Sequence, residues 1–193
     1  TRKGQNVMMT IYRWENGGIK ETSEFAPSCW INLVEPTTTE LERVASFSQV
    51  PRDFLTDPLD SGERPRFDWE DEAFLIIVHV PMPVDDDEVT PYRTVPLGII
   101  FFERSVITVC SARTPVTTAF LDQIRRVCPP SDQYRFAFRL LWHGGVLFLR
   151  YLQDVHQRTL SRTRVTDDSD KLALLIVYIS CVSVIIVNLV QCI

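Results

Sequence analysis

Residues Leu172 to Ile193 form 22 consecutive positions without an Asp, Glu, Lys, Arg or His, in a chain otherwise dense with charge. At about 1.5 Å of helical rise per residue the run reaches roughly 33 Å, enough to cross a hydrocarbon core. Such a segment must leave water, either in a bilayer or against other protein. Ser180, Ser183, Asn188 and Gln191 interrupt it, and no basic residue follows it, so hydropathy alone leaves both options open. We divide the chain into residues 1–7 (a tag or disordered N-terminus), an 8–158 body, a 159–171 polar linker and this 172–193 apolar helix.

The body is read first by what it excludes. A net charge of −5 offers no basic field for nucleic acid, while mild acidity suits cations. No secretory h-region opens the chain. Five cysteines, Cys29, Cys110, Cys128, Cys181 and Cys192, lack CxxC spacing and suit buried thiols in a reducing compartment. No nucleophile elbow, phosphate loop or dinucleotide-binding turn occurs, and His79, His143 and His156 share no metal-binding spacing, so an enzyme is not expected. His79 lies in an apolar run and reads as a structural histidine.

Periodicity gives the fold class. Val7 to Arg13 alternates, and Glu15-Asn16-Gly17-Gly18 is a hairpin turn into Ile19. Trp30 to Val34 reads as a buried strand. Thr37 and Glu40 have capping-box spacing ahead of a helix, and a second short helix over residues 50–55 breaks near Pro58. Arg64 to Glu70 alternates, with Phe67 and Trp69 on one face. Ala73 to Val80 reads as a central strand ended by Pro81 and Pro83. Val95 to Phe102 and Val106 to Cys110 form an antiparallel pair, because the turn at Glu103 is too short for a crossover. From Val116 the spacing turns helical. Pro129-Pro130 interrupts it, Ser131 is placed to cap, and Tyr134 to Arg158 is long and apolar-faced, with Gly144-Gly145 a packing or kink site. Phe136, Phe138, Trp142, Phe148 and Tyr151 are assigned to the core or to a subunit contact. The expected class is α/β (α+β): a layered α/β/α domain with a mostly antiparallel central sheet, followed by long C-terminal helices.

One constellation carries possible chemistry. Asp85, Asp86, Asp87 and Glu88 stand in succession between two strands. Adjacent carboxylates repel, so a hard cation with oxygen ligands would stabilise them, although a solvated connection fits the same residues. The spacing of a closed calcium loop is missing, so a bound metal would need further ligands from elsewhere, in this chain or in another subunit. The charged runs at Glu63–Arg66 and Glu70–Glu72 read as salt-bridged surface.

A resemblance adds to this reading. Trp30-Ile31-Asn32-Leu33-Val34-Glu35-Pro36-Thr37, Val50-Pro51-Arg52-Asp53-Phe54-Leu55-Thr56-Asp57-Pro58-Leu59-Asp60, and Glu63-Arg64-Pro65-Arg66-Phe67 follow one another in order. So do Phe74–Val78, Pro96–Phe101 and Val106–Val109. Together they resemble the N-terminal cytosolic domain of CorA-type magnesium and divalent-cation transporters. The resemblance implies an α/β/α unit assembled as a pentameric homo-oligomer below a membrane pore, in the cytoplasm at the cell (inner) membrane. It implies Mg²⁺ (or Co²⁺ and Ni²⁺) transport, with a zinc-exporting branch of the same family as an alternative. It also implies a weak regulatory Mg²⁺ between neighbouring domains, which puts Asp85, Asp86, Asp87 and Glu88 forward as metal ligands, Asp86 or Asp87 foremost. The family's Gly-Met-Asn pore signature and paired membrane helices do not occur in these residues. The implied role is therefore to gate a pore that this chain does not contain. A tail-anchored protein with a partner-binding domain is the competing reading, with residues 172–193 as its anchor.

Overall fold

The structure, a computed structural model, describes residues 9–84, 91–124 and 129–162. The 172–193 run, residues 85–90 and most of the 159–171 linker therefore lie outside the described residues.

Seven strands make one sheet. β1 (Met9–Glu15) and β2 (Gly18–Thr22) form the expected hairpin, and Asn16 and Gly17 both take positive φ, 52° and 76°. Asn-Gly is the pair that tolerates this at both central positions, and the resulting twist matches that of the flanking strands. β3 (Cys29–Val34) pairs antiparallel with β1 and parallel with β7 (Ser105–Cys110). β4 (Arg66–Glu70), β5 (Ala73–Pro83) and β6 (Tyr92–Phe102) complete the order β2-β1-β3-β7-β6-β5-β4, with every pair except β3–β7 antiparallel.

β5 runs through Pro81 and Pro83 rather than stopping at Val80. The reason lies in the pairing. β4 accompanies β5 only from Ala73 to Ile77, so farther along β5 has β6 on one side and, among the described residues, no strand on the other. A proline there forfeits no ladder bond on its open side, which is where sheets accept it.

Helices cover both faces. On one lie α1 (Thr38–Ser48), α2 (Arg52–Thr56) and a 3₁₀ turn over Asp57–Leu59. The capping box forms as expected: Glu40 N–H donates to Thr37 Oγ1 at 3.3 Å, and Thr37 N–H donates to Glu40 Oε2 at 2.8 Å. Val44, Val50, Phe54 and Leu55 close over Ile31, Leu75, Ile77, Ile100 and Val109. The 3₁₀ turn lies so near β6 that a Cβ on Gly98 would sit 2.3 Å from Pro58 Cγ.

On the other face lie α3 (Pro115–Ile124) and α4 (Gln133–Arg162), over Ile76, Val78, Leu97, Ile99 and Cys110. Asp132, not Ser131, caps α4: Arg135 N–H donates to its carboxylate at 3.4 Å. Gln133 Nε2 donates to the Ser105 carbonyl at 2.6 Å, tying the start of α4 to the β6–β7 turn. α4 continues through Gly144-Gly145 without a break. Among the described residues no helix is long and apolar enough to cross a membrane.

Trp30 lies at the centre of this layer. Its ring is fully buried, stacked on Tyr12 at 4.8 Å and edge-on to Phe120 and Phe136. Its indole N–H donates to Thr108 Oγ1 at 2.8 Å, and Thr108 donates onward to Asn32 at 2.8 Å. The parallel register sets Asn32 opposite Thr108. Two of the sequence blocks singled out above are thus one hydrogen-bonded unit across β3 and β7. Cys29 and Cys110 are buried free thiols, and burial pushes Cys110 up to about 11.

Candidate metal-responsive site

The four acidic residues Asp85, Asp86, Asp87 and Glu88 lie outside the described residues. The stem that carries them does not. β5 and β6 are paired to their ends, Pro83 against Tyr92, and Val84 N–H donates to the Pro91 carbonyl at 2.8 Å. Val84 and Pro91, which flank residues 85–90 in the sequence, are thus joined at the end of the β5–β6 hairpin.

That point is coupled to α4. Tyr92 stacks on Tyr151 with centroids 4.3 Å apart, and its hydroxyl donates to Asp154 Oδ2 at 2.5 Å. Asp154 also receives Arg158 Nε at 2.8 Å, one helical turn on. Burial, with the hydrogen bond to Asp154 and that residue's charge behind it, pushes the Tyr92 phenol up to about 12. A donor so reluctant to ionise fixes the roles: phenol donates, carboxylate accepts. The sequence reading missed this link, since a tyrosine at residue 92 and an aspartate 62 positions later carry no shared signal.

A second charged group sits where β4 meets the 3₁₀ turn. Arg66 makes three contacts, to Asp57 at 2.6 Å, Asp68 at 2.8 Å and Glu63 at 2.9 Å. Burial holds the Asp57 carboxyl above its usual range despite Arg66, with Glu63 and Asp53 adding repulsion. Arg66 itself is raised, first by its hydrogen bond to Glu63. His79 donates to the Glu63 carbonyl at 2.8 Å, the role expected of a structural histidine. This cluster fastens the edge strand and is already charge-paired, so it is not a metal site. Among the described residues no group of three or more His, Cys, Asp or Glu side chains is arranged to hold a metal ion.

The aromatics of α4 divide. Phe136 and Phe148 are buried and Tyr151 is partly so, but Phe138 and Trp142 face outward, 49% and 67% exposed. Phe67 and Trp69 are likewise exposed on the edge strand, at 45% and 67%. Of the two places expected for these aromatics, the core takes Phe136 and Phe148, whereas the helix turns Phe138 and Trp142 away from the sheet, so the core half of the expectation does not hold for them.

Comparison with known proteins converges on one family. The family model described as CorA-like Mg²⁺ transporter protein matches residues 26–177. No curated protein matches. Among solved structures, the complete CorA magnesium transporter from Methanocaldococcus jannaschii is similar with a TM-score of 0.63 at 17% identity, covering 80% of this chain and 49% of that one. The soluble domain of the same transporter gives 0.63 at 18%, covering 78% of this chain and 61% of that chain. The ZntB cytoplasmic domain from Vibrio parahaemolyticus RIMD 2210633 gives 0.61 at 12%, covering 78% and 63%. At such identities the structural likeness establishes the fold, and the chain spans about half of the complete transporter. The family-model match extends over more than half of the sequence, from Ala26 before β3 to Val177, and on that ground the chain belongs to the CorA-like Mg²⁺ transporter family.

Proposed function

We propose that this chain is the regulatory cytosolic domain of a divalent-cation transporter at the cell membrane, and that Mg²⁺ on the 85–88 carboxylates favours its assembled, closed state. One observation supports the reading: in a chain of this family, the residues that flank the four successive carboxylates are held together by the β5–β6 pairing, which runs to Pro83 and Tyr92 and is closed by Val84 N–H on the Pro91 carbonyl.

The donor set fits the ion. Asp85, Asp86, Asp87 and Glu88 offer only hard oxygen ligands, and Mg²⁺ needs just one or two carboxylates because it keeps several of its waters. Held so loosely, it exchanges in the millimolar range. Ligation shared with a neighbouring copy makes the ion a reporter of assembly. The assembled ring binds it more tightly than a loosened one, and the difference in affinity biases the equilibrium. About 1–3 kcal/mol of coupling per site suffices, and repetition around a ring steepens the response. The membrane pore on which this acts belongs to the full-length protein.

Thermal melting with increasing Mg²⁺ tests the reading. Saturation to ten times the Kd is expected to add about 1.4 kcal/mol per site. Replacing Asp85, Asp86 and Asp87 together with Asn should remove that gain. Melting curves that stay superimposed across millimolar Mg²⁺ would refute it, and running Co²⁺, Ni²⁺ and Zn²⁺ alongside ranks the ions.

A further inference from the structure

α4 is apolar on two sides. Its inner side buries Phe136, Leu140 and Leu147 in the core cluster shared with the sheet and α3. Its outer side carries Phe138, Trp142, Val146 and Leu149, each between 39% and 67% exposed, with Phe138 and Trp142 stacked. These positions recur every three or four residues, so they line one stripe. A helix apolar on both sides belongs inside a structure, and no described residue covers this one from outside.

We propose that the stripe is the docking surface for residues 172–193 of the same chain, folded back along the outer side of α4. Three observations select this occupant. The first is composition: the 22-residue run is uncharged and must leave water, and the stripe is the apolar surface nearest to it along the chain. The second is reach. From Phe138 to Leu149 the stripe is about 17 Å long, and the run as a helix would reach about 33 Å. The nine residues 163–171 span up to about 30 Å, against about 20 Å from Arg162 back to Leu149. A short tether also gives the contact a high effective concentration.

The third observation is charge. Arg135, Arg139 and Arg150 lie exposed beside the stripe. Two copies meeting stripe to stripe would bring two such arginine rows together, whereas the uncharged run brings no cation to oppose them. Gly145 sits half-exposed between Trp142 and Leu149. A glycine in a helix interior costs about 1 kcal/mol, and its small size lets a second backbone come close.

The run carries its own probes, Cys181 and Cys192. Val146→Cys and, separately, Leu149→Cys are made in the full 193-residue chain, with Glu42→Cys on α1 as the control. Each is checked for native circular dichroism, oxidised and mapped by mass spectrometry, without lipid and with phosphatidylcholine–phosphatidylglycerol vesicles. A disulfide from position 146 or 149 to Cys181 or Cys192 within one chain, at a yield independent of protein concentration and at least ten-fold above the control, is the expected result. Disulfides joining two chains would overturn the proposal in favour of a second copy. So would positions 146 and 149 staying open to maleimide with no link to the run, and in that case partition of the chain into vesicles would identify 172–193 as a membrane segment.

Discussion

The two helical layers of this domain are built to different standards of closure. α1, α2 and the 3₁₀ turn are short, and the apolar surface they present goes into the sheet: Val44, Phe54 and Leu55 are at most 3% exposed. α4 is 30 residues long, buries one side equally well, and turns a second apolar stripe outward. A face that ends in Glu42 and Arg43 is finished, because water satisfies it. A face that ends in Phe138 and Trp142 is not, and it marks where the described residues meet further protein or membrane.

The sharpest way to break this comparison is at Trp30, which organises the α3–α4 side. Trp30→Ala removes the ring against Tyr12, Phe120 and Phe136 and the donor to Thr108. A loss of about 3–5 kcal/mol is expected in urea denaturation. On the opposite face, Gly98→Ala should cost less, about 1–3 kcal/mol, because the new methyl group drives into the Pro58 ring and the 3₁₀ turn must lift. A Gly98→Ala cost larger than that of Trp30→Ala would contradict this ordering.

A smaller effect comes from His143, inside α4. Burial holds its imidazole below the usual range, with repulsion from Arg150, while the Pro115 carbonyl pulls the other way. The folded state thus resists the proton that the unfolded chain accepts near its ordinary value of 6.5. Stability from this group is complete above pH 6.5 and is lost as pH falls through the lowered folded value. Denaturation midpoints should decline as pH falls below 6.5, and His143→Leu should flatten that slope. An unchanged slope would show that imidazole burial makes no contribution.

Local signals in the sequence foretold much of this. Asn16-Gly17 specified a hairpin and Thr37 with Glu40 a capped helix, because each depends on residues within a few positions of one another. The apolar run Ala73–Val80 marked a strand, but β5 lies one place from the edge of the sheet and not at its centre, because apolar content reports covered faces and not strand order. Pairing across distance was less legible. The end of β5 was misplaced because Pro81 and Pro83 are tolerated only through the short length of β4. The parallel β3–β7 contact joins segments 76 positions apart, and Tyr92–Asp154 spans 62. The outward turn of Phe138 and Trp142 depends on which side of α4 meets the sheet, which periodicity alone does not choose when both sides are apolar. The candidate ligands Asp85–Glu88 were named from their residue types and a family likeness, and the structure adds the stem that carries them and its tie to α4.

The measurement that bears most directly on the central claim is the mass of the chain in solution with and without Mg²⁺. Light scattering on the wild type should show a shift from monomer toward a pentameric ring as Mg²⁺ reaches millimolar levels. The shift should reverse on chelation and be absent when Asp85, Asp86 and Asp87 are all Asn. A mass that stays monomeric at high protein concentration, with or without the ion, would contradict it.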